Sequence, residues 1–257
     1  MGKYLSFSII AIKHGYKNKG ETIARFAFYG IILLVFSSLW NAVGSEKIGL
    51  KPRDMIWYLA MTEWIVLSYP LIHTAIQEDI RTGNVAYLLT RPIPYIWVKF
   101  FEGMGTLLLR MLILAFAGFG FAYFITGGLP TNPLGLLLYF PVGIFASMVV
   151  TLYQSIIGLF SFWLQDATPI YWIFSKCNFI LGGMMLPLDI YPEWLQKIAM
   201  LTPFSSFLYL PVKACLELDA SLLLEALIKL TVWAVIGLIA MQLIYLRGVK
   251  KLNVNGG

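Results

Sequence analysis

The chain has 257 residues, 59% of them hydrophobic and only 12% charged, with a mean hydropathy of +0.78. Soluble domains carry ~25% charged residues, so most of this surface must face something other than water, and spans of ~20 residues each leave no room for a soluble catalytic domain. The net charge of +6 lies at helix flanks rather than along a stripe, which fits membrane-edge cations and argues against nucleic acid as a partner.

Residues 2–20 are expected to form an interfacial helix. Leu5, Ile9, Ile12 and Tyr16 share one helical face, Ser6, Ser8, Lys13 and Lys17 lie elsewhere, and the apolar run is too short to span. A secretory signal is the competing reading, but no small-residue cleavage site follows and a basic cluster sits on the wrong side of the run. Met1-Gly2-Lys3-Tyr4-Leu5-Ser6 also fits the N-myristoylation pattern, an anchor that a multi-span protein does not need.

Six spans are expected after it, at about 25–43, 55–76, 100–125, 141–163, 169–186 and 222–246, making an all-α integral membrane protein. Eleven Lys and Arg residues (Lys3, Lys13, Lys17, Lys19, Arg25, Arg81, Arg91, Lys99, Arg247, Lys250 and Lys251) flank the side shared by both termini. Five (Lys47, Lys51, Arg53, Lys197 and Lys213) flank the other, so the positive-inside rule places both termini in the cytoplasm. Trp40, Trp57, Tyr58, Trp97 and Trp163 lie near span ends, as an aromatic belt would.

Between spans two and three lies the one strongly polar interior segment, Gln77–Tyr95. Glu78, Asp79 and Arg81 close the preceding run, and Gly83-Asn84 is a turn signal. Val85, Leu88 and Leu89 then fall at helical spacing until Pro92 and Pro94 stop the helix. Two readings fit: a rigid element presented to a separate motor, or an ordinary interhelical loop. Residues 127–140 contain Pro130 and Pro133 and are expected to form an outer turn, with Pro141 at a helix start or kink. After span five, Leu181–Leu218 is too apolar for a free loop yet is cut by Pro187, Pro192, Pro203 and Pro211. Trp194, Leu195, Ile198 and Leu201 share a face there, so one or two amphipathic helices are expected to dip into the outer leaflet.

The chemistry of an enzyme is missing from the pattern. There is no G-x-x-x-x-G-K-[ST] phosphate loop, no HExxH, no nucleophile elbow and no paired carboxylates. His14 and His73 are too few and too far apart for a metal site, and Cys177 and Cys215 form no CxxC pattern. His73 reads as an interfacial hydrogen-bonding residue, with a proton relay as the alternative. No catalytic, metal or cofactor site is therefore expected.

Four ionisable residues fall inside the spans, where a charge costs several kcal/mol unless paired or hydrated: Glu63, Arg110, Lys176 and Lys229. Glu63 lies ~12 Å from the outer end of span two and Arg110 ~15 Å along span three from the inner side. The two depths match, so the pair is expected to form an ion pair that either locks helix packing or, if open, contacts cargo. Lys176, ~10 Å into span five, can snorkel to the interface, and Lys229 shares a face with Glu225.

Glu78, Arg81-x-Gly83 and Leu88-Leu89-x-Arg91-Pro92-Ile93 after span two, with Gly182-Gly183, Pro187-Leu188, Pro192, Leu195 and Pro203 after span five, resemble the ABC-2-type permeases of ATP-binding cassette exporters. The likeness is to the bacterial branch with mostly unassigned substrates. It implies half a transporter, paired with an identical or homologous half in the plasma membrane among lipids. A separate ATPase subunit would bind the ATP and Mg. Residues 77–95 would be the coupling helix, with Glu78, Asp79, Arg81, Gly83, Leu88 and Arg91 serving the ATPase contact. Residues 187–218 would be the outer re-entrant segment, with Gly182, Gly183, Pro187, Pro192 and Pro203 at the exit gate. The alternatives are a secondary transporter or channel that uses the intramembrane charges, and an assembly protein with no transport role.

Overall fold

The computed structural model describes residues 2–15, 19–43 and 51–255. Expectations resting on the side chains of Lys3, Leu5, His14, Tyr16, Lys17, Lys19 and Lys47 fall outside what is described.

The elements are helices throughout the described residues, and prolines and glycines set most of their limits. Helix α1 (Gly2–Gly15) lies against the first turns of α6 (Tyr95–Thr126), where the Ser8 hydroxyl donates to the Phe101 carbonyl at 2.7 Å. Gly105 makes this approach possible, because a Cβ there would overlap the Ser8 backbone. Ser8 and Ile12 are half-buried, whereas Ile9, assigned with Ile12 to the apolar face, is 54% exposed. Helix α2 (Lys19–Val43) begins six residues before the expected first span.

Helix α3 (Pro52–Ser68) is the centre of the bundle, with every residue from Met55 to Ile65 buried. The expected second span is not one continuous helix. Pro70 lacks an N–H and disfavours helical geometry in Tyr69, so α3 ends and the chain restarts as α4 (Ile72–Arg81). Helix α5 (Asn84–Leu89) follows, then α6, which ends at the left-handed Gly127. Helix α7 (Pro133–Leu159) starts at Pro133, eight residues earlier than expected, because proline suits a first helical turn; Pro141 lies inside it.

Helix α8 (Thr168–Leu181) has 14 residues, or ~21 Å, against a hydrocarbon core of ~30 Å. Its helix stops five residues short of the expected end of span five. Then come α9 (Glu193–Leu201), α10 (Pro203–Phe207), α11 (Tyr209–Glu217) and α12 (Ala220–Asn255). Five helical stretches are long and apolar enough to cross a membrane: Gly20–Trp40, Pro52–Arg81, Tyr95–Thr126, Pro133–Phe162 and Ala220–Lys251.

The bundle has two distinct ends. At one, Gln77 joins the close of α4 to the start of α8, donating to Asp166 at 3.0 Å and accepting from the Ala167 amide at 2.9 Å. At the other, Asp54 accepts from the Thr131 amide and hydroxyl, and Asn132 donates to the Leu216 carbonyl. Trp57 and Tyr58 are each 1% exposed at this second end, where they bond the Gly128 and Gly183 carbonyls. They are core residues rather than members of an interfacial belt: both rings are buried, and that of Trp57 lies 6.0 Å from the Phe119 ring of α6.

Candidate functional site

The polar segment between α4 and α6 folds as a pinned turn. Helix α4 closes with the Thr82 amide on the Glu78 carbonyl and the Gly83 amide on the Ile80 carbonyl, and Gly83 takes φ 74°, a left-handed conformation that glycine adopts without penalty. Helix α5 then buries Val85 completely, with Leu88 and Leu89, the other two residues at the expected helical spacing, packed beside it. Asp79 fixes the turn from beneath: Lys99 lies 2.7 Å away, and Tyr95 and Asn84 each donate to it at 2.9 Å. Asp79 thus points into the bundle. Glu78 and Arg81, paired at 2.8 Å, point out of it, as do Tyr87 and Arg91, whose guanidinium lies over the Tyr87 ring.

A second cluster surrounds the break at Pro70. A helix that ends there leaves its last carbonyls without intrahelical donors. Arg25 donates to the Leu67 carbonyl at 2.5 Å and Arg110 to the Tyr69 carbonyl at 2.9 Å. Glu21 pairs with both, 2.9 Å from Arg25 and 2.7 Å from Arg110, so one carboxylate is shared between two guanidiniums. The expected pair of Glu63 with Arg110 does not form. Glu63 is 1% exposed on α3, and both its carboxyl oxygens are without a hydrogen-bond partner among the described residues. The early start of α2 is what carries Glu21 to Arg110. The Lys229–Glu225 pair forms at 2.7 Å. Lys176 has no carboxylate within salt-bridge distance among the described residues and lies 5.4 Å from the Trp172 ring centroid.

Between α2, α3, α7 and α8 is a cavity of about 280 Å³, whose lining includes Arg25, Tyr69, Gln154, Ser175, Lys176 and Asn178. Sequence reading singled out only Arg25 and Lys176 of these, for their charge. Gln154 and Asn178 lie in stretches whose apolar neighbours mask them. His73 is close by, 2% exposed and stacked on Tyr171 at 3.8 Å, so it is an internal residue and not an interfacial one.

At the other end, the proline-cut segment forms a cap. Tyr58 donates to the Gly183 carbonyl, Thr62 donates to the Met184 carbonyl at 2.8 Å, and Gly182 ends α8. Pro187 opens a short 3₁₀ turn, Pro192 precedes α9 and Pro203 starts α10. Helix α9 exposes Trp194, Ile198 and Leu201, whereas α11 is buried between α3, α7 and α12. Asp189 accepts from Lys213 at 2.5 Å and from Tyr209 at 2.8 Å. Burial opposes the Lys213 charge, yet the bonds to Asp189 and Tyr209 outweigh it and raise its pKa above the ordinary lysine value.

A multi-pass helical membrane protein with a pinned polar turn at one end, a proline-built cap at the other and an internal polar cavity has the parts of a transport subunit. The family model described as "ABC-2 family transporter protein" matches residues 8–256, and the chain belongs to that family. No curated protein matches the sequence. Family membership makes the chain the permease component of an ABC transporter rather than the ATPase itself, and implies an ATP-binding partner subunit.

Proposed function

We propose that this chain is half of an ATP-driven exporter in the plasma membrane, coupled to a separate nucleotide-binding subunit through residues 77–95. The observation that carries this reading is the turn from α4 through Gly83 to α5. A turn held by three bonds to Asp79, yet exposing Glu78, Arg81 and Tyr87, transmits force where a slack loop would not. Hydrolysis belongs to the partner, which binds ATP and Mg. Two such halves, identical or homologous, line the pathway within the lipid.

The termini and the α4–α6 turn face the cytoplasm, and α8 with residues 182–187 makes the sixth crossing. Support for that crossing comes from its ends: α8 starts beside Gln77 and finishes beside Tyr58 and Thr62, at the opposite end of α3–α4. The segment from Pro187 to Leu218 serves as the outer gate.

The test is ATP hydrolysis and transport by the reconstituted complex carrying Gly83→Val or Glu78→Lys. A β-branched residue at positive φ costs upwards of ~1–2 kcal/mol and deforms the turn. Both activities should fall in variants that still fold. Unchanged assembly, hydrolysis and transport would contradict the coupling role.

A further inference from the structure

The cavity between α2, α3, α7 and α8 carries polar groups that the fold itself does not use. Gln154 and Asn178 are 1% and 4% exposed and both line it, yet both amide atoms of Gln154 and the Asn178 Oδ1 lack hydrogen-bond partners among the described residues. The hydroxyl of Tyr69, which also lines the cavity, is likewise without one among the described residues. Tyr69 lies beside Asn178, and His73 beside Gln154, without closing hydrogen-bond geometry. Even a bond closed at either place would leave each amide with further donors or acceptors for the cavity. Buried amides are otherwise almost always satisfied, so such a cluster points to a polar occupant.

The charge of the occupant follows from the lining. Arg25 and Lys176 line the cavity and, among the described residues, no Asp or Glu does. Arg25 is engaged by Glu21 and the Leu67 carbonyl, which leaves Lys176 as the cation available to a ligand. Apart from Ser175 and Tyr171, the rest of the lining is apolar, with Val66, Leu71, Phe174, Phe179 and Met184. A volume of about 280 Å³ holds a headgroup but no acyl chains.

We propose that this cavity binds the anionic, hydroxyl-bearing headgroup of an amphiphile, such as a phosphate ester, with Lys176 on the anion and Gln154, Asn178 and Tyr69 on its hydroxyls. This rests on the transport reading above, because it names the class of molecule that the pathway admits.

The experiment uses the full chain in nanodiscs of equimolar phosphatidylcholine and phosphatidylglycerol, and measures which lipid stays bound after detergent extraction. Phosphatidylglycerol should be enriched. Lys176→Gln should lower its retention roughly tenfold, the value of a lost bond to a charged group, and Gln154→Leu about fivefold, the value of a neutral one, while Lys176→Arg should keep it. If Gln154→Leu does not fold, the exposed Lys176 carries the test alone. Displacement of the bound lipid by glycerol 3-phosphate would assign the headgroup to a soluble ester, and failure to displace it would assign it to a lipid; either result supports the headgroup chemistry. Equal retention of the two lipids, or retention unchanged in both variants, would overturn it. Retention does not require hydrolysis, so a chain that never assembles with an ATPase would defeat the proposed function and leave this result standing.

Discussion

Arg110 lies 2.7 Å from Glu21, at the break between α3 and α4, and donates to the Tyr69 carbonyl at the end of the central helix. Glu63, the acid at matching depth along the chain, takes no part. A double-mutant cycle separates the two arrangements. Glu21→Gln and Arg110→Met should each cost ~1–2 kcal/mol of thermal stability, discounted because the Glu21 side chain is 36% exposed, with a coupling of about 1 kcal/mol. Glu63→Gln combined with Arg110→Met should be additive to within ~0.5 kcal/mol. Strong coupling in the second cycle would restore the Glu63 pair.

Orientation is tested by cysteine labelling. Asn84 and Glu193 are both exposed and lie at opposite ends of the bundle. In intact cells a membrane-impermeant maleimide should modify Glu193→Cys directly and Asn84→Cys only after permeabilisation. The reverse pattern would invert the proposed orientation.

The docking of α1 depends on a missing side chain. Gly105→Val forces α1 off α6 and should cost ~1–3 kcal/mol as an overpacked contact. The N-terminal segment should then be cut early in limited proteolysis while the rest of the bundle resists. Gly20→Ala, where a Cβ meets nothing, should leave the cleavage pattern unchanged.

The Asp189–Lys213 contact on the cap makes a pH prediction. Because the folded-state pKa of Lys213 is raised, its contribution is fully present below the unfolded lysine value of ~10.4 and is lost as pH rises through the higher folded value. Lys213→Met should therefore lower thermal stability by a similar amount at pH 6 and pH 9, with the gap closing only in strong alkali. A gap that closes between pH 6 and pH 9 would contradict this sign.

The parts legible in sequence were those fixed by local backbone chemistry. Gly83-Asn84 and Pro92 mark a short helix between them, and the helical spacing of Val85, Leu88 and Leu89 is the spacing found on α5. The parts hidden from it depended on where helices begin in space. Depth counted along isolated spans matched Glu63 to Arg110, but α2 starts at Lys19, which brings Glu21 to a guanidinium that sequence spacing had assigned elsewhere. Pro70 gave a local signal of a break, yet its apolar surroundings read as one continuous span. Asp79, grouped in sequence with Glu78 and Arg81 for the ATPase contact, faces inward because α6 delivers Lys99 and Tyr95 to it. Gln154 and Asn178 carried no signal, since a lone amide in an apolar run announces nothing about the wall it will share.

Site-directed cross-linking tests the coupling account most directly. Tyr87 is 65% exposed on α5, and Trp194 is 64% exposed on α9 at the opposite end. With a short thiol-reactive photo-cross-linker, Tyr87→Cys should give a covalent product with the ATP-binding subunit, and Trp194→Cys should give none. Adding Gly83→Val to the Tyr87→Cys chain should reduce the product severalfold. No product from Tyr87→Cys, or equal products from both positions, would contradict the claim that the α4–α5 turn receives the motor.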